Sequence, residues 1–193
     1  MSAAKGKLFV LSGPSGSGKS TVIDRLLAES PLELVVCPSA TTRPPRADDQ
    51  HAKKYIHMDH SEFDRSRRDG KLLEWAEVSG HWYGTPRQPV DEALAAGRSV
   101  LLEIDVQGGM AVKSIFPAAV MIFLRAGSID EYERRIRRRG TNSEDDIERR
   151  LAAARRELEA AAQYDYQVTN DDLDRTVGEL RNILERLGGT ARV

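Results

Sequence analysis

A single cysteine, Cys37, stands among the 193 residues. One cysteine cannot close an intramolecular disulfide, and a cysteine-based zinc site would need ligands the chain lacks. Cys37 reads as a small buried hydrophobe in a reducing, cytoplasmic setting. No apolar run approaches the roughly 18 residues that span a bilayer. The opening MSAAKGKLFVLSGPSG holds an apolar run too short for a signal-peptide core. Neither a membrane nor a signal sequence is expected. Net charge is nearly absent: 29 basic and 30 acidic side chains leave −1. That excludes a chain-wide positive field for nucleic acid. The four histidines, His51, His57, His60 and His81, lack helical metal spacing and read as surface residues. Repeats, linkers and low-complexity tracts are missing too.

What is there is globular: 40% hydrophobic and 31% charged. The length suits one domain with small insertions, burying roughly 70% of its unfolded surface. Of the 29 basic residues, 22 are Arg and 7 are Lys. Five of the six residues from 134 to 139 are Arg. Arginine's planar fork suits bidentate phosphate contacts. Most of these arginines read as compositional bias, and Arg134, Arg137 and Arg138 as a solvated helix face.

Short apolar runs alternate with helical patterns. Residues 7–11, 99–104 and 119–124 read as buried strands, with a further short strand at 165–169. Helices are expected at 19–29, from 143 to about 163, and at the C-terminus around Val177, Leu180, Ile183, Leu184 and Leu187. Ser61, Ser128 and Ser143 each precede an acid by three positions (Asp64, Glu131, Asp146), the capping-box spacing. Asp171, Asp172 and Asp174 read as helix-start charges. The alternation predicts an α/β fold with a parallel sheet flanked by helices. Residues 38–60 are polar and rich in Pro, Arg and Asp. Residues 72–85, LLEWAEVSGHWYGT, read as short antiparallel strands, with Trp75 and Trp82 packing there. An inserted subdomain is expected at about 35–90.

Gly13, Pro14, Ser15, Gly16, Ser17, Gly18, Lys19 and Ser20 match G-x-x-x-x-G-K-[ST] between a strand and a helix. Such a loop turns successive N–H groups onto phosphate oxygens, and the helix N-terminus adds positive charge. Lys19 is placed to reach the β- and γ-phosphates, and Ser20 to ligate Mg²⁺. Glu103 and Asp105 share one face at the end of an apolar strand, where ligands bind in open α/β sheets. Downstream, Arg43 and Arg46 flank stiffening prolines, followed by Tyr55, Glu74 and the run Tyr83-Gly84-Thr85. Two arginines, two tyrosines and hydroxyls suit a phosphate monoester. A buried carboxylate suits the paired N–H donors of a base.

In order and spacing, GPSGSGKST, SATTRPPR, Tyr55, LLEWAEVSGHWYGT, LLEIDVQG, RRRGT with ERRL, and VTNDDL resemble the guanylate kinase family over nearly the whole chain. The resemblance implies a P-loop core (about 1–34, 91–128 and 164–193), a small α+β GMP-binding subdomain (about 35–90) and a helical lid (about 129–163). It implies ATP and GMP, or dGMP, as substrates, Mg²⁺ as cofactor, and a monomer or small homo-oligomer. Ser39, Arg43, Arg46, Tyr55 and Tyr83 resemble residues that hold the GMP phosphate. Glu74, Thr85 and Asp105 resemble those that read guanine. Arg135, Arg139 and Arg150 resemble lid arginines, which with Lys19 and Arg43 make the catalytic set. Thr21 completes the ATP segment, Asn170 resembles the residue near adenine, and Ser20 with Glu103 would hold the metal. Asp48 and Asp49 stand near the family's usual Gly and Glu, His81-Trp82 precedes Tyr83 where another Tyr is usual, and Glu103 replaces a common Asp. Two alternatives remain at this point: a kinase for another nucleoside monophosphate, and a non-catalytic protein-binding module of guanylate-kinase type. Intact Lys19 and Ser20 weigh against the second.

Overall fold

The computed structural model describes residues 6–29, 34–45, 55–138 and 144–188. Arg46, Arg139, Ser143, Asp48, Asp49 and His51 lie outside the described residues. Five strands form a parallel sheet: β1 (Leu8–Ser12), β2 (Leu34–Val36), β7 (Ser99–Glu103), β8 (Val120–Ala126) and β9 (Tyr166–Asn170), in the order β2-β7-β1-β8-β9. Its central strands are continuous apolar runs because both faces are covered. Leu8, Val10, Val100, Leu102, Met121 and Phe123 pack on one face. Phe9, Leu11, Leu101, Ile122, Leu124 and Val168 pack on the other. Each fully buried side chain of this size contributes about 1.5–3 kcal/mol relative to exposure.

Helices α1 (Lys19–Glu29) and α7 (Leu173–Leu187) cover one face, with Val22, Ile23, Leu26, Val177, Leu180 and Leu184 inward. Helices α3 (Arg87–Ala95) and α4 (Val106–Ile115) cover the other through Val90, Ala93 and Val112. Asp172 caps α7 by accepting from Arg175 N at 2.8 Å, as the helix-start reading of the aspartates expects.

A second, four-stranded sheet grows between β2 and α3. It comprises β3 (Ser39–Thr41), β4 (Tyr55–His57), β5 (Leu72–Val78) and β6 (His81–Pro86), ordered β4-β3-β6-β5. β5 and β6 form the expected antiparallel pair. Their register shifts between Leu72 and Glu74, a bulge that turns Glu74 inward. α2 (His60–Arg68) lies on this sheet through Phe63, which is fully buried with Ala40 and Leu72. Trp82 packs there too, whereas Trp75 is 41% exposed under the Arg67 guanidinium.

The expected cap at Ser61 is wrong. Asp59 caps α2, accepting from Glu62 N at 2.7 Å while Glu62 Oε2 accepts from Asp59 N at 3.0 Å. Ser61 lies inside the helix. Its spacing to Asp64 matched by coincidence, because the stronger Asp59–Glu62 box had already satisfied the helix start. Ser128 does cap α5 (Ile129–Arg138), accepting from Glu131 N at 3.2 Å. Glu131 turns its carboxylate to Arg135 instead. α5 packs on α6 (Glu144–Glu159) around Tyr132, Ile136, Ile147 and Leu151. The last turn before β9, Ala160–Gln163, tightens to a 3-10 helix.

Candidate active site

The loop between β1 and α1 is held by local backbone constraints. Gly16 and Gly18 have φ of 92° and 93°, conformations that favour glycine. Ser17 N donates to Pro14 O at 3.0 Å, and Lys19 Nζ curls back to Gly13 O at 2.5 Å and Pro14 O at 3.3 Å. Three residues from later elements support the same loop. Asn170 Nδ2 donates to Ser17 O at 2.7 Å. Arg135 Nη1 donates to Ser17 O at 3.1 Å, and its Nη2 to Asn170 O at 2.7 Å. Arg150 Nη2 donates to Ser15 Oγ at 3.1 Å. Glu131 Oε1 fixes Arg135 Nε at 2.6 Å, and that bond holds the Glu131 carboxyl below its usual range. Asn170 thus holds the loop's backbone directly.

Ser20 is the second residue of α1, and its Oγ donates to Glu103 Oε1 at 2.6 Å. Glu103 ends β7 opposite Leu11. Thr21 lies one residue further along α1, exposed. A hydroxyl and a carboxylate meeting beside a phosphate loop are hard oxygen donors suited to Mg²⁺, which needs few protein ligands. Among the described residues no cluster of three or more His, Cys, Asp or Glu offers an alternative metal cage.

Across the cleft, the small sheet gathers a second set of groups. Arg43 follows β3 and is only 5% exposed; its Nη1 donates to Pro44 O at 2.8 Å, and its guanidinium stands 5.0 Å over the Tyr55 ring. Tyr55 meets Tyr83 edge-on at 6.2 Å. His57 Nδ1 lies 2.8 Å from Arg43 O, so this histidine is tied to the site and is not a plain surface residue. Ser39, Tyr55, Cys37, Val36, Asp24 and Glu103 line a cavity of about 240 Å³, joining phosphate-type groups to the Ser20–Glu103 pair. Cys37 is buried, as expected, and burial pushes its thiol pKa up.

Glu74 is 7% exposed and accepts from Thr85 Oγ1 at 2.6 Å. Burial pushes its pKa up to about 7; the nearby Asp105 carboxylate raises it further, while the Thr85 hydroxyl and backbone oppose. Asp105 caps α4, accepting from Gly108 N at 2.7 Å. Burial raises the Asp105 pKa, against the Gly108 N–H and Lys19. Gly108 is what allows the two carboxylates to approach. A Cβ there would stand 2.6 Å from Glu74 Oε2 and 3.2 Å from Asp105 Oδ1. Sequence reasoning gave Gly108 no role, although it closes the LLEIDVQG segment three residues past Asp105.

A strand–P-loop–helix unit, a parallel sheet with β1 between β7 and β8, and a second anion-type site facing the loop define a P-loop nucleotide-binding protein. A guanylate kinase family model matches residues 5–187. A guanylate kinase from Synechocystis sp. is 47% identical over 182 residues, 94% of this chain and 95% of that protein. One from Rubrobacter xylanophilus is 47% identical over 183 residues, 95% of each. The crystal structure of guanylate kinase from Anaplasma phagocytophilum superposes with a TM-score of 0.79 at 32% identity, covering 97% of this chain and 88% of that one. The chain belongs to the guanylate kinase family.

Proposed function

We propose that the chain transfers the γ-phosphoryl group of ATP to GMP, and to dGMP, giving ADP and the nucleoside diphosphate, a step of purine nucleotide metabolism and GMP recycling. The observation that carries this reading is the buried Glu74, aimed inward by a bulge and backed by Thr85, in the sheet that faces the P-loop. Guanine presents N1–H and N2–H₂ donors on one edge, and a carboxylate accepts both. Adenine lacks those donors, so AMP would leave a buried carboxylate unpaired.

Each group has a role in the transfer. Ser39, Arg43, Arg46, Tyr55 and Tyr83 bind the acceptor phosphate. Glu74, Thr85 and Asp105 hold the base. The loop 13–20 with Thr21 cradles ATP, and the cleft of about 460 Å³ between Gly127, Ser128, Glu131, Arg134 and Asp171 receives its base. Asn170 serves ATP by bracing the loop. Ser20 and Glu103 would hold Mg²⁺, which would supply charge neutralisation at the phosphates. An oxygen of the GMP phosphate attacks the γ-phosphorus as the bond to the ADP oxygen breaks. No general base is needed, because the nucleophile is already anionic. Its repulsion by ATP is the obstacle, and Lys19, Arg43, Arg135, Arg139 and Arg150 offset it. The division of labour follows the chain: a core at about 1–34, 91–128 and 164–193, an acceptor subdomain at about 35–90 and a lid at about 129–163 that closes to exclude water.

A coupled assay of ADP formation with ATP and GMP, AMP, CMP or UMP tests the reading. GMP is expected to dominate; a clear preference for AMP or UMP overturns it.

A further inference from the structure

The roles above leave out His57, although it bonds directly to Arg43. The Arg43 side chain is buried, with Nη1 donating to Pro44 O at 2.8 Å and the guanidinium 5.0 Å over the Tyr55 ring. Where that guanidinium points depends on how well the Arg43 backbone is fixed. It is fixed at both of its peptide groups. Arg43 N donates to Thr41 Oγ1 at 3.1 Å, and Arg43 O lies 2.8 Å from His57 Nδ1.

The chain shows why a side chain does this work. β3 and β4 run parallel with Thr41 opposite His57, and Met58 N donates to Thr41 O at 2.9 Å. On the other side Thr42 N donates to Trp82 O at 3.0 Å, and Trp82 N to Thr42 Oγ1 at 2.9 Å. Pro44 and Pro45 follow Arg43 and carry no N–H with which to continue either ladder. Backbone pairing therefore stops just where the arginine must be aimed. The imidazole opposite Thr41 reaches forward to the Arg43 carbonyl. A carbonyl oxygen only accepts, so Nδ1 carries the hydrogen, and the ring can keep it there whether neutral or protonated. The same imidazole stands 6.1 Å from the Tyr55 ring, within packing range of the aromatic beneath the Arg43 charge.

We propose that His57 is a positioning residue for the acceptor phosphate: its Nδ1–H holds the Arg43 backbone so that the guanidinium is aimed before the nucleotide arrives. The inference rests on the function proposed above. His57 acts through Arg43 on the phosphate, whereas Glu74 on β5, Thr85 on β6 and Asp105 at the start of α4 serve the base. Such preorganisation is read as affinity for the phosphate and not for the nucleoside.

The test measures binding of GMP and of guanosine to the full chain by competition. His57→Phe keeps an aromatic ring and loses the donor; His57→Asn keeps an N–H close to the place of Nδ1–H. His57→Phe is expected to weaken GMP about 5- to 20-fold, the loss of one hydrogen bond with some misplacement. Guanosine binding and KM for ATP are expected to stay within about twofold. His57→Asn is expected to bind GMP within about threefold of wild type. In an Arg43→Met background, adding His57→Phe is expected to cost less than about twofold more, because the residue it acts through is gone. If the wild type takes AMP, CMP or UMP in place of GMP, the proposed function falls, and the same comparison of that nucleotide with its nucleoside decides the role of His57. The proposal is overturned if the wild type holds the nucleotide no more tightly than the nucleoside, or if His57→Phe leaves nucleotide binding unchanged. It is equally overturned if both ligands weaken alike, if His57→Asn restores nothing, or if the full loss persists without Arg43.

Discussion

Lowering the pH from 8 to 6 should weaken recognition of GMP through Glu74. Its pKa is pushed up to about 7 by burial, so the empty site is partly protonated near neutrality. A protonated carboxyl offers a hydrogen where guanine also offers one. For a group titrating at about 7, the ionised fraction falls from about 0.9 at pH 8 to about 0.1 at pH 6. kcat/KM for GMP, which reports ionisation of the free enzyme, should therefore fall about tenfold from this group alone. Bound guanine holds the carboxylate ionised, so kcat should depend on pH less steeply. The GMP phosphate has its own second pKa near 6, as phosphate monoesters do. Glu74→Gln keeps that contribution and loses the first, so the difference between the two pH profiles isolates Glu74. Stability gives an independent readout. Folding raises the Glu74 pKa from 4.5 to about 7. The folded state thus binds this proton more tightly, and the stabilisation it confers below pH 4.5 is lost as pH rises through that window. The full interval is worth about 3 kcal/mol at most. Nucleotide-free Glu74→Gln should accordingly melt above the wild type at pH 8, with the gap narrowing toward pH 5. Parallel pH profiles for wild type and Glu74→Gln would refute the reasoning.

Gly108→Ala should separate stability from recognition. Alanine favours an α-helix by about 1 kcal/mol over glycine, so α4 gains locally. The new methyl would meet Glu74 Oε2, and KM for GMP should rise about 10- to 100-fold while KM for ATP holds, in steady-state assays with each substrate varied. An unchanged KM for GMP would show that Glu74 has room to move. Lys19→Ala should cut kcat by about 10³ or more, since its ammonium is a principal charge on the transferring group, while circular dichroism stays that of the wild type. Retained turnover would remove Lys19 from the mechanism.

How far the sequence could be read depended on how local each feature is. The strand–loop–helix of residues 8–29 is legible because its motif, its apolar run and its helical period all lie within one short segment. The antiparallel pair β5 and β6 is legible for the same reason: a turn at Ser79-Gly80 separates two β-rich runs. β3 and β4 were not foreseen. Each has only three residues, and their parallel pairing joins segments 16 positions apart, Ser39 with Tyr55. The cap of α2 was misread because two acid–spacing patterns overlap, and only the hydrogen bonds of Asp59 and Glu62 choose between them. In the site, the residue types announced phosphate and base chemistry. They did not announce that Asn170 and Arg135 clasp the same loop carbonyl, or that Gly108 lets Glu74 and Asp105 approach. These are contacts between distant segments, and no single-segment pattern encodes them.

The central claim is that a buried carboxylate selects guanine. Its most direct measurement is the ratio of kcat/KM for GMP over AMP, in the wild type and in Glu74→Gln at pH 8. Two hydrogen bonds to a charged acceptor are worth about 3–5 kcal/mol, or roughly 10²–10⁴ in rate. The wild-type ratio should be at least about 10², and the variant should lose most of it through GMP, with KM for ATP nearly unchanged. A wild-type ratio near one, or a variant that keeps the wild-type ratio, would contradict the account.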